Sequence, residues 1–94
     1  MGNIHKHRPL EIACQNRFWQ AFETLNVTMK DFAKETNLGR QKYVMMRQEW
    51  RQNLLSPNRY LDASALVWIC TRHGVSPDWL LCGKGTMYDS QAQK

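Results

Sequence analysis

Between Thr28 and Trp50 the sequence sets particular residue types at fixed offsets, and that order admits few packings. Thr28-Met29-Lys30-Asp31 fits a helix start: a hydroxyl can accept an N–H of the first turn, and an acid stands three residues on. Phe32 and Ala33 supply the buried side, with the small Ala33 where a second helix must touch the first. Asn37 follows four residues later. Asn is among the few residues besides Gly that tolerate the left-handed conformation a tight interhelical turn requires. Leu38 then offers an apolar plug. Tyr43, Met46 and Trp50 return at steps of three and four, which predicts a helix over about Arg40 to Gln52 with one inward side. Two short helices crossing steeply through a tight turn make these demands. A plain helical hairpin meets them as well.

The flanks read as helices too. Pro9 fits a first helical turn, where its missing N–H costs nothing. Leu10, Cys14, Phe18, Ala21, Phe22 and Leu25 recur at helical spacing and predict one buried face, with Asn26 ending the helix. After the turn chemistry of Ser56-Pro57-Asn58, a fourth helix is expected from Tyr60 to Arg72, with Leu61, Ala65, Trp68 and Ile69 inward and Gly74 as its cap. Ser76-Pro77-Asp78 restarts a helix with a cap residue, a first-turn proline and an acid at the positive helix end. Gly83 and Gly85 stop it, and from Met87 the chain reads as a tail, polar after Tyr88. No strand pattern or internal repeat is present, so the expectation is all-α with five helices. A chain of 94 residues is one domain's worth and must build its core from large side chains. Four Trp, three Phe, three Tyr and five Met supply them.

Charge narrows the partners. Lys and Arg number 13 against 8 Asp and Glu, for a net charge of +5. A basic domain attracts polyanions, nucleic acid or acidic lipid, and charge alone does not choose between them. The excess is concentrated: Arg40, Lys42, Arg47, Arg51 and Arg59 face a single acid, Glu49, within their span. Solvated helix faces ordinarily mix signs. Residues 1–8 read as a flexible basic arm. Cys14, Cys70 and Cys82 are widely spaced and cannot all pair, which favours a reduced, cytoplasmic protein over a disulfide scaffold. No apolar run approaches a membrane span. His5 and His7 with the distant Cys14 lack the spacing of a structural zinc site. Gly83-Lys84-Gly85 lacks the remainder of a phosphate loop and follows a helix rather than a strand. His73, before a helix-ending Gly, suits the negative end of a helix. The acids are scattered, and no nucleophile-and-base signature is present, so neither a catalytic site nor a cofactor is expected.

Residues 28–50 resemble the helix-turn-helix of phage repressor and Cro-type regulators. The run Gly74-Val-Ser-Pro-Asp-Trp-Leu-Leu-Cys-Gly-Lys-Gly-Thr-Met87 is similar to the closing segment of phage CI-type repressor DNA-binding domains. Together the likeness covers about residues 26–88, and the closing run is the more specific part. Asn37 stands where the family usually has Gly, Tyr43 is bulky for its position, and the connection from Arg47 to Arg59 is long. The resemblance implies an all-α, five-helix, lambda repressor-like domain over 9–88, followed by a polar tail over 89–94. It also implies that Trp79 and Leu80 close the core beneath the helix-turn-helix.

By position in the motif, the resemblance puts Gly39, Arg40, Gln41 and Met45 at base edges. Arg40 and Gln41 have the chemistry for guanine and adenine respectively. Lys42, Arg47, Arg51 and Arg59 suit phosphates by type, and Thr28 stands at a helix start where a phosphate can be met. The implied function is transcriptional regulation, as a repressor of phage or mobile-element type. The implied form is a homodimer on pseudo-palindromic double-stranded DNA, since one short helix reads few base pairs. The alternative is a protein-interaction module on the same scaffold, an antirepressor or regulator-pairing subunit. An exposed apolar strip at Val44, Met45 and Trp50 would mark it.

Overall fold

The computed structural model describes residues 9–54 and 60–88. The expected arm over 1–8, Arg59 and the tail over 89–94 lie outside the described residues. Five helices follow in order: α1 (Pro9–Thr24), α2 (Met29–Thr36), α3 (Arg40–Arg51), α4 (Ala63–His73) and α5 (Pro77–Cys82). The central element is α1, which packs against α3, α4 and α5, while α2 lies against α3 and α4. The all-α expectation therefore holds for the described residues.

The helix ends follow the local chemistry of the sequence. The Thr28 hydroxyl accepts the Asp31 N–H at 3.1 Å and caps α2. Ser76 does the same for α5 through the Trp79 N–H at 3.3 Å, with Pro77 in the first turn. Gly74 ends α4 at φ 74°, and its N–H and that of Val75 return to the carbonyls of the last turn. At Gly83, φ 72° already disfavours a side chain. A Cβ there would also stand 3.2 Å from Arg17 Nη1. Arg17 is there because it ties α1 to the end of α5, its Nε donating to Leu80 O at 2.8 Å and its Nη2 to Leu81 O at 3.2 Å.

The core is a stack of aromatic rings. Phe18, Trp19 and Phe22 of α1, Phe32 of α2 and Tyr43 of α3 are essentially sealed from solvent, with Trp68 of α4 nearly so. Phe32 sits at the centre, its ring centroid 4.9 Å from Trp68, 5.0 Å from Tyr43 and 5.8 Å from Phe22. Edge-on and tilted ring pairs of this kind add to the burial itself. Met46, Ile69, Val75 and Leu80 fill the remainder.

Three expectations are corrected. Leu10 lies on the predicted inward face of α1 yet is 84 % exposed, because in the first turn of α1 it borders an open cavity, shared with Cys14, Leu66 and Leu81, instead of closed core. The fourth helix starts at Ala63 rather than Tyr60. Asp62 is its extended N-cap residue, and the Tyr43 hydroxyl fixes it from α3 by accepting the Asp62 N–H at 2.8 Å. Leu61 packs against the core all the same. Finally, Met87 and Tyr88 are not tail. Tyr88 forms an isolated antiparallel bridge with Val75, the Ser76 N–H donates to Met87 O at 2.8 Å, and the Tyr88 hydroxyl shares a 3.0 Å hydrogen bond with Thr24. The aromatic ring and this pairing hold the segment down despite its exposed Gly-rich approach.

Candidate nucleic-acid interface

The connection between α2 and α3 is Asn37, Leu38 and Gly39. Asn37 adopts φ 61°, ψ 31° and returns its N–H to Ala33 O at 2.8 Å, closing α2. Leu38 packs against the core as the expected plug. Gly39 is the N-cap residue of α3, and the space a Cβ would occupy there is empty for 4 Å. The backbone at the head of α3 is thus open to approach.

The two sides of α3 differ sharply. Inward are Tyr43 and Met46, with Trp50 packed beside them and its Nε1–H donating to Asn16 Oδ1. Outward are Gln41, Met45, Gln48 and Gln52, at steps of four, three and four. Arg40 and Gln41, at the exposed opening turn, make no ion pair or hydrogen bond through their side chains among the described residues. Met45 is 40 % exposed. All four expected base-edge residues are therefore exposed, from the N-cap of α3 to its middle. Of the apolar residues Val44, Met45 and Trp50, Met45 is exposed, while Val44 and Trp50 are partly buried against the core.

The expected phosphate-contacting residues are accessible to different degrees. Lys42 Nζ stands 3.3 Å from Asp62 Oδ2 and 5.4 Å from the Tyr43 ring centroid. Arg47 and Arg51 converge on Glu23 of α1. Arg47 Nε donates to Glu23 Oε2 at 2.9 Å, and Arg51 donates from Nε and Nη2 at 3.1 Å each. Arg47 also lies over the Phe22 ring, 5.3 Å from its centroid. Thr28 is exposed with its oxygen engaged as a cap.

The lopsided charge of the segment is thus partly balanced by acids that sequence reasoning missed. Glu23 and Asp62 lie far from their partners along the chain, and only the tertiary packing of α1 and α4 brings them in. Hydrogen bonds from Arg51 and then Arg47 hold the Glu23 carboxyl below its ordinary range, against the opposing pull of desolvation. The Asp62 carboxyl is held down chiefly by the Tyr43 hydroxyl, and Lys42 adds to it. Burial in turn pushes the Tyr43 phenol well above the ordinary tyrosine range, with the Asp62 carboxylate reinforcing it.

Elsewhere, His73 packs edge-on to Trp68 at 4.6 Å, and Trp79 packs against the core. Among the described residues no group of His, Cys, Asp and Glu is arranged to hold a metal, and no helix is long and apolar enough to cross a membrane. Comparison with protein-family models, curated proteins and solved structures finds no match to this chain.

Proposed function

We propose that this chain is a repressor-like helix-turn-helix protein that binds double-stranded DNA sequence-specifically and regulates transcription, with α3 as the recognition helix. The observation that carries this reading is the free, exposed opening turn of α3. Arg40 and Gln41 stand there without side-chain partners among the described residues, beyond an open Gly39 backbone, on a helix joined to α2 by a three-residue connection. A helix entering the major groove by its N-terminal end needs those features. Arg40 offers the fork that fits guanine O6 and N7, and Gln41 the amide that fits adenine N6 and N7. Met45, one turn on, can meet a thymine methyl, and Lys42, Arg47, Arg51, Arg59 and Thr28 serve the backbone.

Two copies on a pseudo-palindrome are the natural form, because one helix of this length reads too few base pairs for a useful site. The activity is binding, with no chemical step. Duplex binding measured across salt concentrations, followed by binding-site selection, tests the proposal. Affinity that falls steeply with salt and a selected motif with dyad symmetry are expected. No binding at low salt, or a flat salt response, rejects it.

A further inference from the structure

A shallow cavity of about 240 Å³ lies between the start of α2 and the second half of α3, lined by Met29, Val44, Arg47, Gln48 and Arg51. Glu23 is not among its walls. We propose that Arg47 and Arg51 form a single clamp, held side by side by Glu23, that grips one singly charged oxyanion at this cavity: one phosphodiester of the duplex backbone. This rests on the DNA-binding reading above and replaces two separate phosphate contacts with one shared contact.

The hydrogen-bond pattern leads there. A guanidinium carries five N–H donors in a planar fork. Among the described residues Arg47 gives only its Nε–H, to Glu23, and Arg51 gives its Nε–H and one Nη2–H. The carboxylate therefore grips both groups by their Nε edges from outside the cavity. The remaining Nη donors have no partner among the described residues, and both arginines line the cavity. Phe22 backs the Arg47 group, whose side chain is only 25 % exposed. Folding has thus already met much of the entropy cost of ordering Arg47, and the two bonds to Glu23 orient the more exposed Arg51 beside it. The charge fits as well. Two guanidiniums less one carboxylate leave one positive charge, which one phosphodiester neutralises and two would overload. The Glu23 carboxyl, held low by its two partners, keeps that balance across the neutral range.

The salt dependence of duplex binding by the full chain separates one shared contact from two. Each phosphate contact contributes about 0.9 to the log–log slope. Counted per bound protomer, Arg47→Ala and Arg51→Ala should each lower the slope by about 0.9, and the double variant should also lose about 0.9. A loss near 1.8 per protomer in the double variant, or no loss in either single variant, overturns the clamp.

A second arm uses dimethyl phosphate and the Nε–H NMR signals of the two arginines. Both signals should shift with one common Kd. In Glu23→Ala, provided its fold is intact by the amide spectrum, that Kd should weaken several-fold although the protein has gained positive charge. Separate Kd values, no shift, or equal or tighter binding in Glu23→Ala overturn the clamp. Failure of the wild-type chain to bind duplex, with the common shift retained, rejects the DNA reading and leaves the anion site standing.

Discussion

Asn37 is the residue on which the two-helix unit turns. At φ 61° a β-branched side chain crowds the following carbonyl, whereas Gly pays no such penalty. Asn37→Val should therefore destabilise the domain by about 1–2 kcal/mol, and Asn37→Gly should melt close to the wild type. Equal melting temperatures for all three proteins would show that the turn does not constrain this position. The turn was legible because a positive-φ requirement leaves a short menu of residues. The partners of Tyr43 and Glu23 were not, because nothing local marks a contact across the fold.

Those partners set the acid limb of stability. Glu23 and Asp62 are both depressed below ordinary values of 4.5 and 3.8. A carboxyl bound more weakly by protons in the folded state adds stability above its ordinary pKa and loses it as pH falls through the lower folded value. Melting temperature should hasten its decline below about pH 4.5, and Glu23→Gln should flatten that decline. Both groups are partly exposed, so each contribution is at most about 1 kcal/mol. A Glu23→Gln profile parallel to the wild type down to low pH would remove Glu23 from this role.

At the scale of the element, α3 shows why one helix can be half legible. Its inward residues Tyr43 and Met46 stand out in the sequence because burial selects apolar types at helical spacing. The complementary stripe of Gln41, Met45, Gln48 and Gln52 has the same period and was there to be found as its mirror image. The basic residues on its flank were legible as charge but not as ion pairs. Under the DNA reading this division has a consequence. Arg40→Ala or Gln41→Ala should cost about 1–3 kcal/mol on the preferred site and relax preference at one base position each. Arg51→Ala should weaken all sequences alike. Site selection repeated on each variant reads this directly. An unchanged motif in both opening-turn variants would mean that the reading end of α3 has been misplaced.

Across the whole molecule, sequence order and spatial order part company at the chain's end. The five helices and their caps were legible because each rests on local chemistry: Thr28, Ser76, Gly74 and Gly83 stand at the ends they terminate. The exposure of Leu10 and the docking of Met87 and Tyr88 depend on what lies opposite in space, and spacing cannot report that. The docked segment carries a stability prediction of its own. Val75, the bridge partner of Tyr88, is 1 % exposed, and Ser76 relies on the Met87 carbonyl for its N–H partner. Thr24, at the end of α1, shares a hydrogen bond with the Tyr88 hydroxyl, so this segment links the first helix to the last. Fully burying a large side chain is worth about 1.5–3 kcal/mol, and Met87 and Tyr88 are each half-buried. Met87→Ala with Tyr88→Ala in the full chain should therefore lower stability by about 2–3 kcal/mol. Tyr88→Phe, which keeps the ring and loses only an exposed hydrogen bond, should cost less than about 1 kcal/mol. Urea unfolding gives both values from the shift in midpoint at unchanged slope. If the double variant unfolds at the wild-type midpoint, the segment rests on the surface without supporting the core. If Tyr88→Phe loses as much as the double variant, the tie to Thr24 rather than the half-buried ring is what holds this segment to α1.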